Sequence, residues 1–218
     1  MKILNLYCGI GGNRQLWTPN GDEHEITAVE YNEHIAAVYK DRFPNDTVIV
    51  ADAHEYLLKN YKEFDFIWAS PPCPTHSRLC FSKKEKEYPD MKLYQEIILL
   101  NSWYKGKYCI ENVIPYYEPL IKPSVELGRH YFWTNFNVPF KKFTNIDISR
   151  STPEELLKER GLDISVFDII KDVKETREKG KRFDRRQILR NMVNPEVGKY
   201  ILDRAIEKEI LIQNGLFD

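Results

Sequence analysis

The chain has no long hydrophobic run. Its apolar stretches, such as Ile97–Leu100, fall far short of the roughly 20 residues that cross a bilayer, and Asn5 interrupts the short apolar segment ahead of the first glycines, which therefore lacks a signal-peptide core. The expectation is a cytoplasmic protein, prokaryotic or in a viral host. Cysteine is too scarce for a disulfide framework: Cys8, Cys73, Cys80 and Cys109, without an export signal, read as thiols. Charge of one sign is not in excess, since 32 Lys and Arg face 33 Asp and Glu for a formal net charge of −1. A globally basic scaffold is excluded, so any nucleic-acid surface has to be local. Internal repeats and low-complexity tracts are absent, as is the G-x-x-x-x-G-K-[ST] sequence that holds a triphosphate with magnesium. Cys73, His76 and Cys80, with Cys109 or His130, match no common zinc spacing, and no metal is expected.

What the sequence does hold is enough apolar material for one core: 42% of its 218 residues are hydrophobic and 13% aromatic. Short β-rich runs alternate with helical ones. Ile3–Tyr7, Glu25–Glu30, Thr47–Val50, Phe64–Ala69, Lys107–Ile110 and His130–Phe136 read as strands, with helices over Glu33–Arg42 and Met91–Trp103. The pattern predicts an α/β fold with a doubly wound, mostly parallel sheet. Past Pro139 the chain turns polar and carries one short helix, capped by Ser151 or Thr152, with Pro153 in its first turn and Gly161 as its stop. Lys174 to Arg190 is a basic strip of eight Lys and Arg opposed by Glu175, Glu178 and Asp184, and a final helix runs over about Pro195–Gln213. The expected organisation is a cofactor-binding and catalytic domain over 1–139, a small lobe over 140–186 and a C-terminal segment, 187–218, returning to the first domain.

Cys8-Gly9-Ile10-Gly11-Gly12 follows the first strand, where glycines let the backbone approach a ligand. Glu30 ends the second strand at the offset where a carboxylate meets ribose hydroxyls, with Tyr31 beside it as a ring to stack on. Asp52 ends the third strand, placed to accept from an adenine amino group. Together they predict a nucleoside cofactor. Strand 4 ends in Ser70-Pro71-Pro72-Cys73-Pro74, a cysteine whose backbone is fixed by prolines, and strand 5 delivers Glu111 to the same edge. Such a pair answers the problem of cytosine C5, which is not nucleophilic until a thiolate adds to C6 and an acid protonates N3.

At these residues the chain resembles the DNA cytosine-C5 methyltransferases. Leu6-Tyr7-Cys8-Gly9-Ile10-Gly11-Gly12 is similar to the family's cofactor loop, Glu30-Tyr31-Asn32 to its ribose and adenine contacts, and Asp52 to its adenine acceptor. Pro72-Cys73 is similar to its catalytic Pro-Cys, Glu111-Asn112-Val113 to its Glu-Asn-Val, Arg129 to the second arginine of Arg-x-Arg, and Gln187–Val193 with Asn191 to its last cofactor-side segment. The resemblance implies a Rossmann-like methyltransferase sheet with a small inserted target-recognition lobe, S-adenosylmethionine as methyl donor, and base flipping into the pocket. It implies Cys73, Glu111 and Arg129 as catalytic residues and Tyr7, Gly9, Gly11, Gly12, Glu30, Tyr31, Asp52, Pro72 and Asn191 as cofactor contacts. Ser77, Arg78, Arg182, Arg185 and Arg186 are the expected nucleic-acid contacts. The expected partner is double-stranded DNA, with a monomer or weak dimer and a restriction enzyme as a companion.

Four positions depart from the family pattern: Asn5 for Asp, Pro74 for Gln, Leu127 for the first arginine and Arg190 for Gly. Three alternatives stand beside the main reading. One is cytosine-C5 methylation of RNA. Another is methylation of the exocyclic cytosine amino group, which Ser70-Pro71-Pro72 resembles, although Cys73 stands where those enzymes stack an aromatic. The last is a non-catalytic DNA-binding homologue.

Overall fold

The computed structural model describes residues 1–17, 24–78, 88–143, 151–170 and 185–214, with only the backbone at 168–170, 185–186 and 208–214. Strand β1 (Lys2–Leu6) is buried on both faces from Ile3 onward, as an apolar run is in the middle of a parallel sheet. On one side it pairs in parallel with β2 (Glu25–Glu30), which pairs with β3 (Thr47–Val50). On the other side lie β4 (Phe66–Ala69) and then β5 (Lys107–Val113), again parallel. A hairpin of β6 (Val125–Leu127) and β7 (His130–Thr134) closes the far edge, with β7 antiparallel to β5. Among the described residues the order is β3-β2-β1-β4-β5-β7-β6. The doubly wound, mostly parallel sheet expected from the alternation is the one observed. Its winding reverses between β1 and β4, which opens a crevice at their carboxyl ends.

Helix α1 (Glu33–Arg42) starts where the Asn32 side chain accepts from the backbone N–H groups of His34 and Ile35, and α2 (Ala53–Asn60) where Asp52 accepts from Glu55. Helix α3 (Lys92–Trp103) buries Leu93, Ile97 and Leu100 against Leu4, Leu6, Ile67 and Ile110, on the face its spacing predicts. Helix α4 (Pro153–Glu159) opens with a capping box: Glu155 N donates to Thr152 Oγ1 at 3.2 Å, and Thr152 N to Glu155 Oε2 at 2.8 Å. Its Leu156 and Leu157, with Phe167, pack against Ile10, Val38 of α1, and Leu189 and Met192 at α5 (Arg185–Asn191). Helix α6 (Pro195–Asn214) lays Val197, Ile201 and Ala205 against Trp17, Trp68 and Phe132 on the other sheet face, and Trp17 Nε1 donates to Gly198 O at 3.1 Å.

Candidate active site

The chain leaves β1 through Tyr7, whose φ of +54° is unusual for a residue with a side chain. A Cβ added to Gly9, φ +53°, would meet nothing within 4 Å, so the loop borders open space there. Gly12 is the opposite case. A Cβ on it would lie 2.4 Å from Met192 Cγ and 2.5 Å from Val193 O, so the segment after Asn191 rests directly on the loop. Asn5 exchanges side-chain amide hydrogen bonds with Asn13, at 2.8 and 3.3 Å, a neutral closed pair where the family pattern has Asp.

Glu30, at the end of β2, accepts from the N–H groups of Gly9 and Asn32 at 3.0 Å each and from Tyr31 N–H. Burial raises its pKa, while those three donors hold it down. A carboxylate has about four lone-pair sites, so one remains for a ligand hydroxyl. Tyr31 stands 79% exposed beside it. Asp52 is half-exposed at the start of α2, held below the usual carboxylate range first by the Glu55 N–H, with Lys92 Nζ at 3.7 Å. An open glycine, a carboxylate with spare capacity, an exposed ring and a second carboxylate on one sheet edge fit an adenosyl group.

Below this loop Tyr7 donates to Glu96 Oε1 at 2.5 Å, and His54 Nδ1 lies 2.9 Å from the same oxygen. His54 is therefore buried between α2 and α3.

Strand β4 carries Ser70 to Cys73 out of the sheet, and Asn112 Nδ2 pins that loop by donating to Pro71 O at 3.0 Å. Cys73 is half-buried, and its carbonyl accepts from the backbone N–H groups of His76 and Ser77 at 3.0 Å. The Glu111 side chain reaches this loop from β5, where the Ser70 hydroxyl donates to it; Ser70 in turn accepts from Trp68 Nε1 at 2.8 Å. His130, on the neighbouring strand β7, places Nε2 3.3 Å from Glu111 Oε1.

Burial pushes Glu111 up to about 7, against the Ser70 hydrogen bond and the Arg129 charge. Burial, then the charges of Arg129 and Arg160, push His130 down to about 3. Of two adjoining titratable groups, the carboxyl is therefore about half protonated near neutrality and the imidazole is neutral. Arg129 donates to Arg190 O at 2.6 Å and lies within electrostatic range of Glu111 and Cys73, so Cys73, Glu111 and Arg129 converge.

The remaining predicted residues scatter more widely. Pro72 and Arg78 are exposed on the Cys73 loop, Ser77 bridges to Pro115, and Asn191 is exposed beside Met192. Arg185 and Arg186 lie on α5 with backbone only; Arg182, the rest of the strip from Lys174 to Asp184, and Cys80 fall outside the described residues. His76 is 1% exposed and anchors the loop, with Nδ1 2.5 Å from Tyr117 Oη. Sequence reasoning assigned no role here to His130, Ser70 or Arg160. The first could have been found from the β5–β7 register; nothing local marks the last. Among the described residues no group of three or more His, Cys, Asp and Glu could hold a metal ion, and no helix is long and apolar enough to cross a membrane.

Residues 1–115 match the family model of the C-5 cytosine-specific DNA methylases. A Spodoptera frugiperda protein named tRNA (cytosine(38)-C(5))-methyltransferase is 36% identical over 80 residues, which are 35% of this chain and 24% of that one. The match thus spans about a quarter of the relative's length. The S. pombe Dnmt2 methyltransferase structure superposes with a TM-score of 0.59 at 13% identity, covering 96% of this chain and 99% of that one. The Entamoeba histolytica methyltransferase EhMeth gives 0.53 at 12%, covering 96% and 98%. At such identities these two likenesses speak for the fold, a Rossmann-like methyltransferase sheet.

Proposed function

The chain belongs to the C-5 cytosine-specific DNA methylase family, and from that premise we propose that it transfers the methyl group of S-adenosylmethionine to C5 of cytosine in DNA. The observation that carries this reading is the convergence of Cys73, Glu111 and Arg129 at the carboxyl edge of β4 and β5, next to the glycine loop that follows β1. S-adenosylmethionine is the family's methyl donor; when bound, it supplies an electrophilic methyl on a sulfonium. Gly9 gives it backbone access, Glu30 takes a ribose hydroxyl, Tyr31 stacks on the adenine, and Asp52 accepts from the adenine amino group.

Cys73 as thiolate bonds to C6 of a flipped base, while the proton on Glu111 passes to N3. The electrons of the former C5–C6 double bond are then available at C5, which takes the methyl. Loss of the C5 proton to a base, cleavage of the C6–Sγ bond and return of the N3 proton to Glu111 restore the aromatic ring. A carboxyl that is about half protonated at neutral pH can give and retake that proton. Arg129 holds the base and its developing charge, and Asn112 positions the loop through Pro71. Residues 140–186 are the target-recognition region, and the basic strip contacts phosphates.

A second reading, methylation of cytosine in RNA, is favoured by the activity for which the Spodoptera frugiperda relative is named. The test is incubation with labelled S-adenosylmethionine and mixed-sequence DNA or RNA, then nucleoside digestion and mass spectrometry. The expected product is 5-methyldeoxycytidine, lost in Cys73→Ser. A 5-methylcytidine product from RNA alone moves the reading to the second polymer; methylation retained by Cys73→Ser refutes the covalent route.

A further inference from the structure

Arg160 is a charged side chain in an unusual setting. It caps the C-terminal end of α4, its side chain is 5% exposed, and its Nε has no hydrogen-bond partner among the described residues. The carboxylate recorded beside it is its chain neighbour Glu159, at 3.7 Å, beyond hydrogen-bond distance. A second largely buried cation stands within electrostatic range: burial first, and then the Arg160 charge, hold Arg129 below the usual guanidinium range. Two guanidinium groups thus stand near one another with the Glu159 carboxylate acting on both, two positive charges against one negative, and Arg160 Nε makes no hydrogen bond, a costly way to take a cation out of water.

The position of Arg160 is held from outside. Gln15 Nε2 donates to Arg160 O at 2.9 Å, Arg42 Nη2 donates to Gln15 Oε1 at 2.8 Å, and Arg42 Nη1 donates to Ile10 O. This relay ties the end of α4 to the glycine loop. Meanwhile Leu127, where the resembling family has its first arginine, is sealed in the apolar core with Phe132 and Trp68, so β6 offers no cation to the pocket.

We propose that Arg160, delivered by α4, binds a backbone phosphate of the target nucleotide and so completes the positive wall that Arg129 begins. The proposal rests on the cytosine-methylation reading for its ligand: the substrate of such an enzyme brings a phosphodiester, a full negative charge, to the base pocket. A carbonyl oxygen of the base offers only a partial charge, too little to offset the positive charge that Glu159 leaves in excess. A guanidinium is suited to the task because its planar donors match phosphate oxygens in pairs. Exposed only at its margin, Arg160 meets one phosphate at a defined place rather than acting as part of a diffuse surface field.

The test measures binding of cytosine-containing DNA and, separately, RNA oligonucleotides to the full chain with S-adenosylhomocysteine present, over a salt series, for wild type, Arg160→Gln and Arg160→Lys. The expected result for Arg160→Gln is binding weaker by about ten-fold and a slope of log K against log salt smaller by about one. Arg160→Lys keeps the charge and regains the slope. The polymer in which the slope changes is the one whose phosphate is bound. An unchanged slope in Arg160→Gln overturns the proposal, and so does loss of S-adenosylhomocysteine binding in both variants, which marks Arg160 as a structural residue. Failure of the wild type to bind and methylate either polymer removes the cytosine reading itself; a wild type that does both, with Arg160→Gln indistinguishable from it, removes only the role of Arg160.

Discussion

The two sides of the crevice treat their polar groups in opposite ways. On the β1–β2–β3 side they close on one another: Asn5 with Asn13, Arg14 with Asp46 at 3.0 Å, Tyr39 with Asp46 at 2.8 Å, and Glu30 with three backbone donors. On the β4–β5–β7 side they are left in tension. Glu111 is pushed up to about 7, His130 down to about 3, and Arg129 and Arg160 stand near each other with the Glu159 carboxylate acting on both. A satisfied network holds a fixed shape for a ligand that recurs unchanged in every turnover, as a methyl donor does. Groups displaced from their ordinary protonation are what proton transfer and nucleophilic addition require. The sheet thus divides rigidity from reactivity at the point where its winding reverses.

The sharpest break in that comparison is Cys73→Ser. Turnover should fall by about 10⁴-fold or more, because a hydroxyl is a far weaker nucleophile toward C6, while calorimetric affinity for S-adenosylmethionine stays at the wild-type value. A loss of cofactor affinity of similar size would mean that the two sides do not divide their labour.

Glu111→Gln comes next, with an expected loss of about 100-fold in kcat. Wild-type activity should decline above about pH 7 as Glu111 loses the proton it gives to N3, and that limb should vanish in the variant. Stability should fall with rising pH as well. The folded-state pKa of about 7 lies above the ordinary 4.5, so the folded chain binds more protons across that window and loses stability as pH rises through it. Above pH 7 the whole penalty is present. Glu111→Gln removes it and should raise stability at pH 8 by at most about 3 kcal/mol, measured by urea unfolding. A variant no more stable than wild type at pH 8 would show that the carboxyl is not held under strain.

Much of this contrast was legible in the sequence, for reasons that differ by element. Strands β2 and β3 and helix α1 match their sequence-predicted bounds, because both strands are short runs rich in β-branched residues and Asn32 marks the helix start by its own hydrogen bonds. Helix α2, whose buried residues are Ala53, His54 and Leu57, and β6, three residues long, carry too short an apolar pattern to be read. At the site, Cys73 and Glu111 were readable because one follows β4 and the other lies near the carboxyl end of β5, and the carboxyl ends of neighbouring parallel strands share one edge. His130 beside Glu111 depends on an antiparallel register that no local signal encodes, and Arg160 depends on the docking of α4 near residues about thirty positions away.

On the satisfied side, Glu30→Ala should raise the dissociation constant for S-adenosylmethionine by about 10- to 100-fold, the worth of a hydrogen bond to a charged group, with smaller effects on kcat at saturating donor. Equal binding by calorimetry would take Glu30 out of the ribose site.

The smallest expected effect probes how the two sides are joined. Thr152→Ala deletes the side-chain acceptor for Glu155 N and leaves that donor to water, at a cost of about 1 kcal/mol. In a chain of this size that lowers Tm by about 2–4 °C. Leu156 and Leu157 remain packed on α1 and α5, so α4 should stay docked below the transition, and nucleic-acid affinity should fall by much less than in Arg160→Gln. A drop as large as that of Arg160→Gln would mean that the cap, and not the apolar docking together with the Gln15 relay, fixes the guanidinium. An unchanged Tm would instead show that docking alone holds the helix, and that the capping box adds nothing to the link between the satisfied side and the strained one.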